Sequence, residues 1–266
     1  MNKTLLKEIK TEFTNLFDKK PVVAYAPGRI NLIGGHTDYN GGYVFPAAID
    51  KGIFAAVSKS EGEVCRVKAL DVNEDFQFKL TEISPIPQRG WQNYLLGVIA
   101  QLQKKGLTIK AFDLVFGGDI PIGSGLSSSA SLENSILLVL NQLFNLELSK
   151  KEIIEMAQKA EHEFAGVACG ILDQYASMFG RKGQAFLLNC KSMEVLYTKA
   201  DYEAAKKTNE RNEYGNPEPN KQKIIKNTDI LNDLSHINED NVSISKDHTT
   251  GSIDDVFKLF KFLSDN

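Results

Sequence analysis

Apolar residues recur along the chain at two spacings, one typical of strands and one typical of helices. After an amphipathic helix over residues 1–17, short runs rich in β-branched and aromatic residues predict strands at 22–26, 43–49, 53–58, 63–69 and 76–80. Longer apolar patterns at helical spacing predict helices at 91–104, 127–144, 150–164 and 171–179. Further strands are predicted at 112–116, 185–189 and 194–198. Because strands come in one block and helices in the next, the sequence predicts an α+β fold.

The composition of the chain changes near residue 200. The 266 residues are 42% hydrophobic and 24% charged, enough to bury one large core or two modest ones. From residue 201 onward, 22 of 66 residues are charged and only two glycines occur, Gly215 and Gly251. High charge with few aromatic residues is typical of weakly folded segments. We therefore predict a first domain at 1–200 and a divergent tail at 201–266, weakly folded or disordered.

The net charge limits the kinds of partner that we expect, and the cysteines indicate the redox setting. The net charge of −3 gives no electrostatic reason to bind nucleic acid or an anionic membrane. No stretch approaches the roughly 18 apolar residues of a membrane-spanning helix. Cys65, Cys169 and Cys190 are an odd number without the spacing of a metal site, so we expect reduced thiols in a cytoplasmic protein.

A glycine- and serine-rich segment, PIGSGLSSSAS at residues 121–131, joins a predicted strand to a long predicted helix. Gly123 and Gly125 permit positive φ and a close approach of the backbone. A helix N-terminus offers unpaired N–H groups and partial positive charge, which suit phosphate, and serine hydroxyls can hold Mg²⁺. The alternative is a glycine turn followed by a serine N-cap. The segment lacks lysine, so Mg²⁺ or another group must compensate the phosphate charge.

A second segment, APGRINLIGGHTDYNGG at residues 26–42, places many polar side chains between two predicted strands. Convergent donors and acceptors in a glycine-bounded loop suit a sugar, whose hydroxyls each donate and accept. An ordinary polar turn, in which Asp and Asn bond their own backbone, accounts for the segment equally well. Arg29 is one of five arginines in a lysine-rich chain, which hints that a planar guanidinium is needed there.

A third segment, EHEFAGVACGILDQ at residues 161–174, contains two candidate carboxylates. Asp173 follows an apolar run, where a carboxylate is either a helix N-cap or a functional group in a shielded site. Glu161 ends a helical pattern, and its charge is either functional or merely solvated.

Together these three segments resemble the galactokinases of the GHMP kinase superfamily. The second and third segments are similar to galactokinase motifs, while the glycine- and serine-rich segment is similar to the phosphate loop of the superfamily. A stretch that begins at Trp91, WQNYLLGVI, is similar to a further galactokinase stretch near the nucleotide. The resemblance covers residues 20–195, and the order and spacing of the segments match as well.

The resemblance implies roles for the residues at matching positions. Asp173 matches the catalytic aspartate, which lies against the C1 hydroxyl of the sugar as a general base or orienting group. Arg29 matches the arginine that approaches both Asp173 and the transferred phosphoryl group, where it would offset developing charge. Ser129 and Glu161 match the Mg²⁺ ligands.

Binding positions follow from the same matches. The positions that surround ATP match Trp91, Gly123, Ser124, Gly125, Leu126, Ser127, Ser128 and Ser129. The sugar-binding positions match Gly35, His36, Thr37, Asp38 and Gly170.

Three features depart from the galactokinase pattern. Gly35 stands where most galactokinases have glutamate, which removes one carboxylate contact to a sugar hydroxyl. The glycine-rich third motif of the second domain has no counterpart after residue 200. Tyr214 matches the sugar-contacting tyrosine of the family only superficially, so we assign it no role. These departures predict a nearly whole N-terminal domain and an incomplete second domain, as if the chain were truncated or diverged after residue 200.

The resemblance implies transfer of a phosphoryl group from MgATP to the C1 hydroxyl of galactose. The product would be galactose 1-phosphate, in the first committed step of galactose catabolism. The resemblance also implies a monomer with the GHMP kinase N-terminal fold, which is of the ribosomal protein S5 domain 2-like type. Two other interpretations stay open: a non-catalytic sensor that binds galactose or ATP, and an inactive, truncated galactokinase fragment.

Overall fold

A computed structural model describes residues 1–34, 37–87, 90–121 and 123–199. The predicted tail at 201–266 and two predicted sugar contacts, Gly35 and His36, lie outside the described residues. The chain divides into two compact units. The first combines Met1–Ile30 with Ala48–Gly180, and, within the described residues, the second combines Asn31–Ala47 with 181–199. The domain boundary near residue 200 stays a prediction.

Helices and strands follow one another in the order that the apolar pattern indicates. The strands are β1 Val22–Ile33, β2 Tyr43–Lys59, β3 Val64–Ala69, β4 Glu74–Lys79, β5 Phe112–Gly118, β6 Gln184–Asn189 and β7 Val195–Lys199. The helices are α1 Lys3–Phe17, α2 Trp91–Lys104, α3 Ser128–Phe144, α4 Lys150–Ala160 and α5 Leu172–Phe179. A single turn of π-helix, Glu161–Ala165, follows α4 directly. The predicted α+β class is confirmed.

Three predicted elements differ from the structure. Strand β1 runs to Ile33, beyond the expected 22–26, so part of the second sequence segment is strand. The other two differences have a physical reason. The strands expected at 43–49 and 53–58 form one strand, β2, although Asp50, Lys51 and Gly52 resemble a turn. Asp119 holds this point extended, because its carboxylate accepts from the Gly52 N–H at 2.8 Å and its own N–H donates to the Gly52 carbonyl. The helix expected at 150–164 instead changes from α to π geometry at Glu161.

The first unit contains a mixed sheet in the order β4-β3-β5-β2. The pair β3–β5 is parallel, whereas β3–β4 and β2–β5 are antiparallel. Helix α1 lies on this sheet, where its buried Ile9 and Phe13 pack against Phe54 and Val115. The amphipathic helix at the start of the chain therefore packs its apolar face against one side of the sheet.

The second unit is described over residues 31–34, 37–47 and 181–199. The first residues of β2 pair with β6 in antiparallel register, with Tyr43 opposite Asn189 and Val44 opposite Leu188. Strand β6 also pairs with β7. The polar segment that follows β1 belongs to this unit. Within the described ranges of the whole chain, no helix is long and apolar enough to cross a membrane.

Candidate active site

Strand β1 and the phosphate loop, residues 121–129, lie in direct contact. A Cβ atom added at Gly28 would come within 2.6 Å of the Leu126 carbonyl oxygen, so only glycine permits this approach. The neighbouring Arg29 donates its backbone N–H to that carbonyl at 3.1 Å and its Nη1 to the Gly125 carbonyl at 2.8 Å. The glycine of the second sequence segment therefore brings Arg29 to the loop.

Arg29 also binds Asp173, which lies 144 residues away in the sequence. The guanidinium Nε and Nη2 atoms lie 2.7 and 2.6 Å from Asp173 Oδ1. The hydroxyl of Ser127 donates to Oδ2 at 2.6 Å. The N-cap alternative for Asp173 is wrong, because Ile171 is the N-cap of α5 and Asp173 lies in the first turn. Both oxygens of Asp173 are therefore held by charged or hydroxyl donors.

Ser127 adopts a backbone conformation that is rare for residues other than glycine. Its φ of 62° and ψ of 49° lie in the left-handed region, which is sterically unfavourable for a side chain with a Cβ atom. Ser127 precedes α3 in the N-cap position, yet its side chain makes no capping bond. The simple serine N-cap interpretation is therefore wrong, because the hydroxyl serves Asp173 instead.

The phosphate loop has the backbone geometry that its glycines predict. Gly123 and Gly125 have φ values of 72° and 70°, in the region that favours glycine. Ser124 turns its hydroxyl back to the Pro121 carbonyl at 2.7 Å. The exposed Ser128 begins α3, whose N-terminus carries partial positive charge. The loop therefore presents a helix N-terminus beside Arg29, although binding of phosphate there stays a prediction.

Glu161 is a buried carboxylate at the junction of α4 and the π-helical turn. It is only 5% exposed, so the interpretation as a solvated charge is wrong. Its Oε2 accepts from Gln174 Nε2 at 2.8 Å and lies 3.4 Å from the Cys169 Sγ donor. Burial raises the pKa of Glu161, a hydrogen bond from Ser129 opposes this rise, and the negative charge of Asp173 adds to it.

The pair of Ser129 and Glu161 suits a magnesium ion that is shared with phosphate. Both side chains offer hard oxygen ligands, and a hydrogen bond already joins them. Mg²⁺ is usually bound through one or two carboxylates together with phosphate oxygens and water. Within the described residues, no group of three or more His, Cys, Asp or Glu side chains could hold a metal ion alone. The residues therefore fit Mg²⁺ only as a partner of a bound nucleotide.

Two residues predicted to bind the sugar, Thr37 and Asp38, belong to the second unit. The Thr37 hydroxyl lies 2.6 Å from the Tyr43 carbonyl and 3.0 Å from the Gly34 carbonyl, which is the behaviour of a turn residue. Asp38 accepts a hydrogen bond from the Cys190 thiol; burial, and next the charge of Asp38, raise the pKa of that thiol. Their sugar contacts stay predictions.

Two further candidate residues lie in the first unit. Gly170 is buried two residues before α5, close to the segment that carries Asp173. Trp91 begins α2, and its indole N–H donates to Glu74 Oε2 at 2.7 Å. Its ring packs edge-on against Phe116 with centroids 5.0 Å apart. The indole is thus engaged within the fold, and the predicted nucleotide contact is untested.

Sequence reasoning assigned no role to two buried polar residues near Glu161. Gln174 is fully buried and donates to Glu161. Glu133 is also fully buried, and neither of its oxygens has a hydrogen bond within the described residues. Burial first, and then the charge of Glu161, raise the pKa of Glu133 well above its usual value, although the nearby Gln174 amide opposes this. A glutamate inside the apolar pattern of α3 was the available signal.

Comparisons with known proteins identify relatives of two parts of this chain. Residues 93–181 match the GHMP kinases N-terminal domain, and residues 11–59 match the galactokinase galactose-binding signature. The galactokinase of Clostridium tetani is 40% identical over 202 residues, which cover 75% of this chain and 52% of that protein. The galactokinase of Bacillus subtilis is 42% identical over 198 residues, which cover 73% and 51%. The chain thus spans about half the length of the curated relatives it matches.

Solved structures show the same relationship. The crystal structure of Lactococcus lactis galactokinase complexed with galactose matches with a TM-score of 0.70 and 38% identity, covering 74% of this chain and 52% of that one. The mevalonate kinase of Methanococcus jannaschii matches with a TM-score of 0.59 at 20% identity, covering 84% and 75%, which shows a shared fold alone. The predicted resemblance to the galactokinases of the GHMP kinase superfamily is confirmed by these matches in sequence and structure.

Proposed function

We propose that the chain acts as a galactokinase, transferring the γ-phosphoryl group of ATP to the C1 hydroxyl of galactose. The observation that carries the proposal is the arrangement of Asp173, which Arg29 and Ser127 hold beside the phosphate loop. The similarity to galactokinases supports the sugar class. Because the chain spans about half of those relatives, its own turnover is part of the proposal.

Asp173 has the geometry to orient the attacking hydroxyl. A carboxylate offers about four lone-pair sites, and the donors from Arg29 and Ser127 leave acceptor capacity on it. A sugar hydroxyl that donates to Asp173 would be held in position and would pass its proton to the carboxylate as its oxygen accepts the phosphoryl group from ATP. Phosphoryl transfer depends chiefly on such positioning. Arg29 would offset the charge that develops on the transferred group.

In this proposal the phosphate loop binds the nucleotide, and the pair of Ser129 and Glu161 binds its metal ion. The residues at positions 123–129, with Trp91, would surround ATP. Ser129 and Glu161 would hold Mg²⁺, which when bound neutralises phosphate charge. The sugar would be held by residues 35–38 and Gly170, and a reducing, cytoplasmic setting suits the three free thiols. Small-molecule substrates and a monomeric state complete the proposal.

The test is galactose-dependent release of ADP by the purified chain with MgATP, compared with the Asp173→Asn variant. Loss of a general base or orienting group typically lowers the rate by about 10²–10⁴-fold, so we expect a drop of that size. Asp75→Asn is the matched control, because Asp75 is also paired with a cation, Lys68 at 3.3 Å, but lies in the exposed part of β4. The control should retain the wild-type rate.

Other outcomes would contradict the proposal in distinguishable ways. Equal turnover by wild type and Asp173→Asn would remove Asp173 from the chemistry. Absence of turnover in the folded wild-type chain would refute activity of this chain by itself. Calorimetry with galactose would then separate a sugar-binding protein, which still binds, from an inactive one.

A further inference from the structure

Gln174 is adjacent to Asp173 in the sequence, but its side chain forms a hydrogen bond with a different carboxylate, that of Glu161. Consecutive helical residues point about 100° apart, so the two side chains leave α5 in different directions. Asp173 meets Arg29 and Ser127, whereas the Nε2 of Gln174 lies 2.8 Å from Oε2 of Glu161. The amide is fully buried. It therefore contacts the candidate metal ligand without access to solvent.

The backbone of Gln174 is held by the helix that follows the phosphate loop. The Asn134 side chain donates from its Nδ2 to the Gln174 carbonyl at 3.0 Å, and both residues are fully buried. Asn134 lies on α3, which also carries Ser129 near its N-terminus. One helix thus presents one candidate metal ligand and fixes the residue that contacts the other.

Three side chains donate hydrogen bonds to Glu161, namely Ser129, Cys169 and Gln174. Gln174 Nε2 and Cys169 Sγ both donate to Oε2, at 2.8 and 3.4 Å. A carboxylate has about four lone-pair sites, so these three donors leave acceptor capacity on Glu161 for a cation. An amide bond to one carboxylate oxygen also fixes the rotation of the group, which matters for a small ion with strict geometry such as Mg²⁺.

We propose that Gln174 is a positioning residue that fixes the orientation of Glu161, so that this carboxylate can hold the divalent cation of the bound nucleotide. This inference rests on the proposed function, because it requires a metal–nucleotide site at Ser129 and Glu161. Gln174 touches neither nucleotide nor sugar in this role. It acts only through the carboxylate that it holds.

The test is uptake of Mn²⁺, as a substitute for Mg²⁺, by the full chain with a non-hydrolysable ATP analogue. Free Mn²⁺ is followed by electron paramagnetic resonance, so the readout does not depend on turnover. Gln174→Met keeps length but removes the donor, and we expect Mn²⁺ affinity to fall by about 10–100-fold, as for other residues that orient metal ligands. Gln174→Asn keeps the amide one methylene short and should show the same loss.

The chain offers a closely matched control in Gln101→Met. Gln101 is also a buried glutamine, and its Nε2 donates to Glu163 Oε2 at 2.6 Å, but Glu163 is not a candidate metal ligand. We expect this variant to lose comparable thermal stability and to keep Mn²⁺ affinity within about twofold, since no ligand of the ion is disturbed. A general effect of losing a buried amide would instead weaken uptake in both variants.

The outcomes separate this inference from the proposed function. If Gln174→Met binds Mn²⁺ with the affinity of the wild type, the inference alone is overturned. If circular dichroism shows that Gln174→Met is unfolded, the same comparison is made with Gln174→Asn. Equal weakening in Gln101→Met would overturn it as well. A wild-type chain that takes up no Mn²⁺ with the nucleotide analogue would overturn the metal–nucleotide site and the inference with it.

Discussion

Glu161 and Glu163 lie two residues apart in the same π-helical turn, yet their surroundings shift their pKa values in opposite directions. Each accepts a hydrogen bond from a glutamine, Gln174 or Gln101. Glu161 is buried, and burial raises its pKa. Glu163 is exposed, and a hydrogen bond from Lys104 lowers its pKa.

The difference shows that the sequence neighbourhood does not set the role of a carboxylate. On the buried side of the turn, Glu161 lacks a cationic partner among the described side chains, while Asp173 and Glu133 add negative charge. On the exposed side, Glu163 is already neutralised by Lys104. A buried carboxylate without a cation is a favourable place for Mg²⁺, whereas a solvated ion pair is not. The π-helical turn thus separates a candidate metal ligand from a surface ion pair.

The largest expected contrast between the two glutamates is in metal uptake. Glu161→Gln removes the anionic ligand and should weaken Mn²⁺ binding in the presence of nucleotide by more than about 100-fold, beyond the effect of residues that only orient ligands. Glu163→Gln should leave it within about twofold, because its partners are Lys104 and Gln101. Titration followed by electron paramagnetic resonance measures both. Equal losses in the two variants would show that the turn acts as a whole and would end the distinction.

An intermediate contrast is expected in the dependence of stability on pH without divalent cations. Glu133 has a raised pKa in the folded state, so its contribution is complete below its usual pKa of 4.5 and is lost as pH rises through the folded-state pKa. Glu163 has a lowered pKa, so its contribution is present above 4.5 and is lost as pH falls through the folded-state pKa. Urea unfolding measured from about pH 3 to about pH 8 resolves these windows.

The variants Glu133→Gln and Glu163→Gln should flatten opposite ends of that profile. Glu133→Gln removes the ionisable group and should diminish the loss of unfolding free energy on the alkaline side. Glu163→Gln should diminish the loss on the acid side. A Glu133→Gln profile that parallels wild type above pH 4.5 would mean that Glu133 ionises in the folded state as it does in water.

The smallest effect is expected from the surface ion pair itself. Lys104→Gln removes the cation beside Glu163 and should lower the free energy of unfolding by at most about 1 kcal/mol, because exposed ion pairs are well solvated. In about 1 M salt the difference from wild type should shrink further, since the charges are screened. Urea unfolding at low and high salt gives the comparison; a salt-independent loss would indicate that packing of the lysine stem is responsible.

The candidate site was predictable wherever a motif placed chemistry at recognisable spacing. Arg29, Ser129, Glu161 and Asp173 all follow from the segments that resemble galactokinases. The hydrogen bond from Ser127 to Asp173 was not predictable, because local rules favour a capping role for a serine before a helix. The role of Gln174 was hidden for a similar reason. Its partner Glu161 is 13 residues away in the chain, beyond the range of helix periodicity.

The sequence by itself determined the order and type of the elements, because apolar spacing is a local property that burial on one face imposes on each helix and strand. It also determined which residues carry the candidate chemistry. Only the tertiary structure decided how those residues are held: β2 runs through an apparent turn because Asp119 pairs with Gly52, and Asp173 is clamped by an arginine 144 residues away. Burial and distant charges likewise set the opposite pKa shifts of Glu161 and Glu163. Such effects depend on solvent exclusion and on distances in space, which only the folded chain establishes.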